Sequence, residues 1–205
     1  MLKIKLTKSE LKKQRDSLKQ FMHYLPTLQL KKQQLQIRIF EIRKIYAKKQ
    51  AQLKSLEQNL KTWIGLLGDP GVDIRPWIFP EEILTDTQNI AGADIPVFKR
   101  VIFKDVEYDL YGTPFWIDEG IIKLRSYASL MTETAVVQKQ LAVLEKELMT
   151  TTQRVNLFEK VKIPQCLENI RKIRIYLGDQ QANAVGVSKV AKKKIEMAVL
   201  AEMAI

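Results

Sequence analysis

Residues 25–37 read LPTLQLKKQQLQI. Leu25, Leu28 and Leu35 fall at steps of three, four and seven, the spacing of one helix face, and the stretch holds no acid, histidine or cysteine. The pattern extends in both directions. Strides of seven from Leu11 reach Leu18, Leu25, Lys32, Ile39, Tyr46, Leu53, Leu60 and Leu67. The places three further on hold Gln14, Phe21, Leu28, Leu35, Ile42, Lys49, Leu56 and Trp63. A seam kept for about eight heptads exceeds the three or four that mark a coiled coil. At about 1.5 Å per residue this helix would run on the order of 85 Å, too long for the interior of a globular domain of this mass. The arm is therefore expected to be a rod. Lys32 sits on the seam, where its long stem can carry the ammonium outward and a polar residue can fix register. Pro26 follows a seam leucine and is expected to bend the rod locally.

Thr7 and Glu10 have the spacing of a capping box, which predicts a helix start there, and GDPG at 68–71 predicts its end. A second arm is expected from about Asp118 or Glu119, acids that suit a helix N-terminus. Its seam runs through Tyr127, Leu130, Thr134, Val137, Leu141, Leu144, Leu148, Thr151, Val155 and Phe158. Around Val161–Pro164 the phase slips, and a new seam is expected through Ile163, Leu167, Ile170, Ile173 and Leu177. Between the arms, Pro76, Pro80, Pro96 and Pro114 exclude a long helix. The stretches 83–90, 95–103 and 106–110 are short and β-branched, so a β-hairpin is expected at about 84–103, turning at Ala91-Gly92-Ala93-Asp94. The fold class is mainly α: N-terminal helix 1–67, a middle head 68–120, and C-terminal helix 121–205. The arms are expected to satisfy each other's seams by folding back antiparallel, which pairs both within one chain, rather than by forming a parallel homodimer through each arm; the seam residues are Leu18, Phe21, Leu25, Leu28, Leu35, Ile39, Ile42, Leu53, Leu56 and Leu60 with Leu141, Leu144, Leu148, Val155 and Phe158.

The chain's net charge of +11 is uneven. Residues 1–67 carry 16 Lys/Arg against 4 Asp/Glu, residues 68–120 carry 4 against 11, and residues 121–205 carry 14 against 8. Basic arms permit nucleic-acid binding, but the lysines are scattered and no aromatic platform accompanies them. The single cysteine, Cys166, excludes an internal disulfide and is expected to pack as a small apolar side chain. No apolar run reaches the roughly 18 residues of a membrane span, and the N-terminus has no signal-peptide core.

Catalytic constellations are not legible. Gly65, Gly68 and Gly71 lack the Gly-Lys-Ser/Thr of a phosphate loop, and Pro70 removes a donor. His23, the only histidine, falls beside the seam and reads as a solvated rod residue. Glu81-Glu82 and Asp105, Glu107 and Asp109 read better as a solvated strand face than as an acid–base pair. Trp63, Trp77 and Trp116, near the junctions of arm and head, are expected to build a small core. No cofactor, metal or catalytic residue is expected.

With both arms and the head in place, several stretches carry a resemblance: LTKSELKKQRDSL (6–18), YLPTLQLKKQQLQ (24–36), NIAGADIPVFKRVIF (89–103), VEYDLYGTPFWID (106–118), EKVKIPQCLENIRKIRIYLGDQQ (159–181) and SKVAKKKIE (188–196). Over nearly the whole chain, in order, it resembles the D subunits of the V/A-type rotary ATPases. Many members have an arginine-rich segment where this chain reads LGDQQANAVGVSK, and Gly178 and Gly186 are expected to loosen the helix there. The resemblance implies a non-catalytic central-stalk rotor subunit, with both termini inside the bore of a hexamer of catalytic A and B subunits. It implies a small companion, the F subunit, and a membrane-sector socket subunit of the d/C type. The chain would couple ATP hydrolysis or synthesis to rotation of a membrane ring and to proton or sodium transport. The place implied is peripheral, on the cytoplasmic side of a membrane, without direct membrane insertion. On this reading Lys3, Lys5, Lys8, Lys12 and Lys13, with Lys192, Lys193 and Lys194, form a basic end that bears on the hexamer, and Ile90, Ile95, Val97 and Phe98 of the hairpin are offered to a partner. The rival readings are a coiled-coil adaptor or scaffold and a basic helical nucleic-acid-binding protein.

Overall fold

Chain order in the computed structural model is α1 (Lys8–Lys61), a short α2 (Arg75–Ile78), strands β1 (Pro80–Ile90) and β2 (Ala93–Phe103), α3 (Ile117–Leu157), a π-helical turn (Phe158–Lys162) and α4 (Ile163–Glu202). The structure describes residues 4–62, 65, 74–105 and 114–202. The GDPG turn, Leu67, Trp63, the strand expected at 106–110 and the acids Glu107 and Asp109 lie outside the described residues. The chain is mainly helical, with one two-stranded antiparallel sheet in its middle. It packs as two compact units, Met1–Gln29 with Gln153–Ile205, and Leu30–Thr152.

Thr7 starts α1: the Glu10 amide donates to Thr7 Oγ1 at 3.3 Å and the Leu11 amide to the Thr7 carbonyl. The first is a donor that a helix start leaves over, and the second is the opening bond of the helical ladder. Glu10 Oε1 accepts from Gln14 Nε2. The helix passes through Pro26 to Lys61. Along it, the described places of the seven-residue stride are all buried or half-buried.

In the unit Leu30–Thr152, Leu35, Ile39 and Ile42 of α1 meet Val137 and Leu144 of α3 in one core. The pairs Lys31–Glu147 and Lys49–Glu133 run in opposite sequence directions, so the helices are antiparallel. The hairpin closes a third side: Ala93 and Ile95 are buried in that core, with Ile90 and Ala91 packed against it. Gln140 donates to the Pro96 carbonyl, and Arg125 donates to the Trp77 and Lys104 carbonyls while facing the Phe103 ring. The hairpin is thus tied to α3 at both ends.

The turn is tighter than the four residues expected. Ile90 pairs with Ala93, leaving only Ala91 and Gly92 in the loop. Both have positive φ, 51° and 77°. That geometry matches the twist of two-residue hairpins and suits glycine best. Asn89 supports it from the side, accepting from the Gly92 amide and donating to Asp94.

In the other unit the helices are again antiparallel. Phe21 lies against Phe158 with ring centroids 5.0 Å apart, and Asn169 donates to Gln14. Val155, Cys166, Ile170 and Ile173 are buried. Between Val155 and Cys166 the seam crosses the π-turn, where the Ile163 amide reaches back five residues to the Phe158 carbonyl. One extra residue in the turn moves every later side chain on by one place. The expected seam holds at Ile170 and Ile173, both buried, and is corrected at one place: Leu167 is 53% exposed, and Cys166 takes the inward place. Pro164, which has no N–H and crowds the preceding turn, supplies the reason for a widened turn there. The loosening expected at Gly178 and Gly186 is not found, since α4 continues to Glu202. A helical glycine costs about 1 kcal/mol relative to alanine, which weakens a helix without breaking it.

Candidate interaction surfaces

Three surfaces collect the residues singled out in the sequence. The first is the flank of the seam in Leu30–Thr152. Lys31 Nζ reaches Glu147 at 2.7 Å, Lys49 reaches Glu133 at 2.6 Å and Arg43 reaches Glu145 at 2.6 Å. Lys32, which the heptad count places on the seam, is half-buried, and its neighbour Lys31 makes the cross-helix pair. A place at the edge of the seam keeps an ammonium wet while its carboxylate partner stays in reach. Pairs of this exposure contribute about 0–1 kcal/mol each. Their value is geometric, because a shifted register would separate all three. Lys31 also lies at the hairpin tip: a Cβ on Gly92 would stand 3.7 Å from its Nζ.

The second surface is the hairpin. Of the residues expected to meet a partner, Ile95 is 1% exposed and Ile90 packs on the same core. They hold the hairpin to its own helices. Val97 and Phe98 are half-buried. The outer strand β1 is mostly exposed, with Asp86 and Lys99 paired across the ladder at 2.9 Å. The Lys99 ammonium and the Thr87 amide hold the Asp86 carboxyl below its ordinary range. Glu81, Glu82 and Asp105 are exposed. Trp77 and Trp116 are half-buried, near buried positions Ile74, Ile117 and Ile121 in the sequence.

The third surface is the end of the unit that carries both termini. Lys5, Lys8, Lys12, Lys13, Lys192, Lys193 and Lys194 are exposed, and Lys3 lies outside the described residues. The structure does not bring the two groups together. The register of Gln14 with Asn169 puts Lys8 level with roughly residue 175, so Lys192–Lys194 lie about 25 Å further along α4 at 1.5 Å per residue. Sequence spacing missed this because it gives no relative lengths for the arms. From Gly178 to Met197 every side chain of α4 is exposed. The exposed groups include Val185, Val187, Val190, Ile195 and Met197. At about 100° per residue these point to several sides of the helix.

His23 is exposed, edge-on to Tyr24, and burial pushes the Cys166 thiol up. Among the described residues, no cluster of His, Cys, Asp and Glu has the grouping of a metal site, and no helix is long and apolar enough to cross a membrane. The described residues form an antiparallel helix pair in each unit, one of them braced by the hairpin, which defines the class as a long helical-pair protein with a small sheet.

Comparison with known proteins narrows that class. The family model for the ATP synthase D subunit matches residues 10–193. The V-type ATP synthase D subunit of Borreliella burgdorferi is 45% identical over 195 residues, spanning 95% of this chain and 96% of that protein. The protein of the same name in Chlamydia trachomatis serovar L2 is 35% identical, spanning 94% and 96%, and that of Chlamydia pneumoniae is 32% identical, spanning 96% and 95%. The chain belongs to the family of ATP synthase D subunits.

Proposed function

We propose that this chain is the non-catalytic central shaft of a V/A-type ATPase complex, turning inside a hexamer of A and B subunits that carry the ATP chemistry. The observation that carries the reading is the far part of α4. Every residue from Gly178 to Met197 is exposed, and apolar Val185, Val187, Val190, Ile195 and Met197 stand on several sides of the helix among polar and basic residues. A surrounding collar of other subunits accounts for this better than one flat partner.

The rest of the molecule fits a shaft. Antiparallel pairing carries α1 back along α3 and α4, with ion pairs that resist slippage. The outward lysines would offer the stationary collar many weak, screened contacts rather than one deep lock. The hairpin-bearing middle would lie toward the membrane sector and its d/C-type socket, on the cytoplasmic side, beside the small F subunit.

A reversible cross-link tests the proposal. In the assembled complex, a Val190→Cys variant joined by disulfide to a cysteine in the facing collar is expected to lose ATP turnover when oxidised and regain it when reduced. Full turnover in the oxidised, linked complex would reject the shaft. Binding of the isolated chain to duplex DNA with a steep salt dependence would favour the nucleic-acid reading instead.

A further inference from the structure

The π-turn of Phe158–Lys162 holds one residue more than an α-helix would use there, and the sequence beyond it has two candidate seams. Strides of seven from Val155 reach Lys162 and Asn169, and from Phe158 they reach Gln165 and Lys172, none of them apolar. The same strides taken one residue on reach Ile163, Cys166, Ile170 and Ile173. The wide turn selects this second set, and its last three members are buried. The polar set stands close by. Asn169 is 8% exposed and donates to Gln14, which the heptad count places on the α1 seam. Against that polar flank, a cavity of about 320 Å3 separates Ile4 and Leu6, ahead of α1, from Gln165, Asn169, Lys172 and Ile173.

We propose that the π-turn is a phase switch: closing it to an ordinary α-turn rolls α4 about its own axis and exchanges the apolar seam for the polar one, with the chain helical throughout. The roll is one residue's share of a turn, about 100°. The wide form is the resting one because it sets Cys166, Ile170 and Ile173 against α1, where the closed form would set amides and ammonium groups. Four features keep the closed form within reach. Pro164 has no N–H, so the roll has one ladder bond fewer to exchange. Asn169 would reach a seam place with Gln14 still beside it. The lysine stems at 162 and 172 can carry their charges to the edge of the seam. The cavity gives the turning flank room. On the shaft reading, the roll would re-aim Val187, Val190 and Lys192 at the surrounding collar. The switch itself does not rest on that reading, and the full-length isolated chain tests it.

Cys166, the only thiol of the chain, reports the phase, because the roll carries it from the seam to the flank. Maleimide labelling of the native chain is expected to run at least about tenfold faster than global unfolding allows. It should depend little on dilute urea, since a roll exposes little new surface. Deleting Val161, which is 49% exposed, together with Pro164→Ala removes the surplus residue. An unbroken α-helix then keeps Cys166, Ile170 and Ile173 inward. This variant is expected to melt no earlier than the parent chain and to label only at the rate of global unfolding. A second variant exchanges the polarity of the two seams: Gln165→Leu, Asn169→Leu and Lys172→Leu with Ile170→Gln and Ile173→Gln. It is expected to keep its helical circular dichroism and to label at least about a hundredfold faster than the parent chain. Labelling of the parent chain at the global rate, or fast labelling that survives the deletion, would overturn the switch. So would early melting of the deletion variant, or an exchanged-polarity variant that unfolds or keeps a slow thiol.

Discussion

The core beside the hairpin and the far part of α4 are both helix, yet they are stabilised in opposite ways. In Leu30–Thr152, the seam is sealed on a third side by Ala93 and Ile95 and flanked by three cross-helix ion pairs. From Gly178 to Met197, α4 has only its own hydrogen bonds and exposed side chains. Isolated helices of such length are marginal in water, because most helical stability in proteins comes from packing one face. The first region is closed within the chain, whereas the second leaves its apolar side chains exposed.

The largest effect that would break this comparison is a cavity in the closed region. Leu144→Ala, at a fully buried position, is expected to cost about 3 kcal/mol or more, read as a lower urea midpoint of the isolated chain. A loss below about 1 kcal/mol would mean that the third side is not closed. Hydrogen exchange sharpens the other half: amides of 180–197 are expected to exchange in the isolated chain far faster than those around Leu144, and to become protected in the assembled complex.

Pro26→Ala restores a helix donor inside α1 and is expected to stabilise the chain by as much as about 3 kcal/mol, seen as a higher melting temperature. No rise would show that the helix has already adjusted to the ring. Gly92→Val places a β-branched residue at φ 77° and is expected to cost about 1–2 kcal/mol, loosening the hairpin and the core beneath it. Asp86→Asn should have the smallest effect, leaving the urea midpoint of the isolated chain at neutral pH unchanged within error. Because the Asp86 carboxyl is held below its ordinary range, its contribution is present above the unfolded pKa and lost as pH falls through the folded one. Acid titration of hairpin resonances should show that sign, and a contribution that grew on acidification would contradict the pairing with Lys99.

The fold was legible because it rests on periodicity. Leu35, Ile39 and Ile42 could be placed inward from spacing alone, and Ala91-Gly92-Ala93-Asp94 between β-branched runs marked a hairpin, though not that its loop has only two residues. Features set by contacts with distant residues were not legible. Whether Lys31 or Lys32 bridges the helices depends on where Glu147 stands, which no local pattern records. The slipped phase around Pro164 was legible, and Ile170 and Ile173 stand inward as expected, but spacing did not show that Cys166, which was expected to pack, would take the seam place given to Leu167. The hairpin's apolar residues look available until the core beneath them is known, and Ile95 proves to be spent there. The distal basic residues were expected to gather at one end, but register separates Lys8 from Lys192.

Rotation is the most direct test of the central claim. A probe attached through a Gln88→Cys variant, on the exposed outer strand β1, would be followed in a complex immobilised by its hexamer. On adding ATP the account predicts sustained rotation in one direction, stopping when ATP is removed. A probe that stays fixed while the same complexes hydrolyse ATP would contradict it.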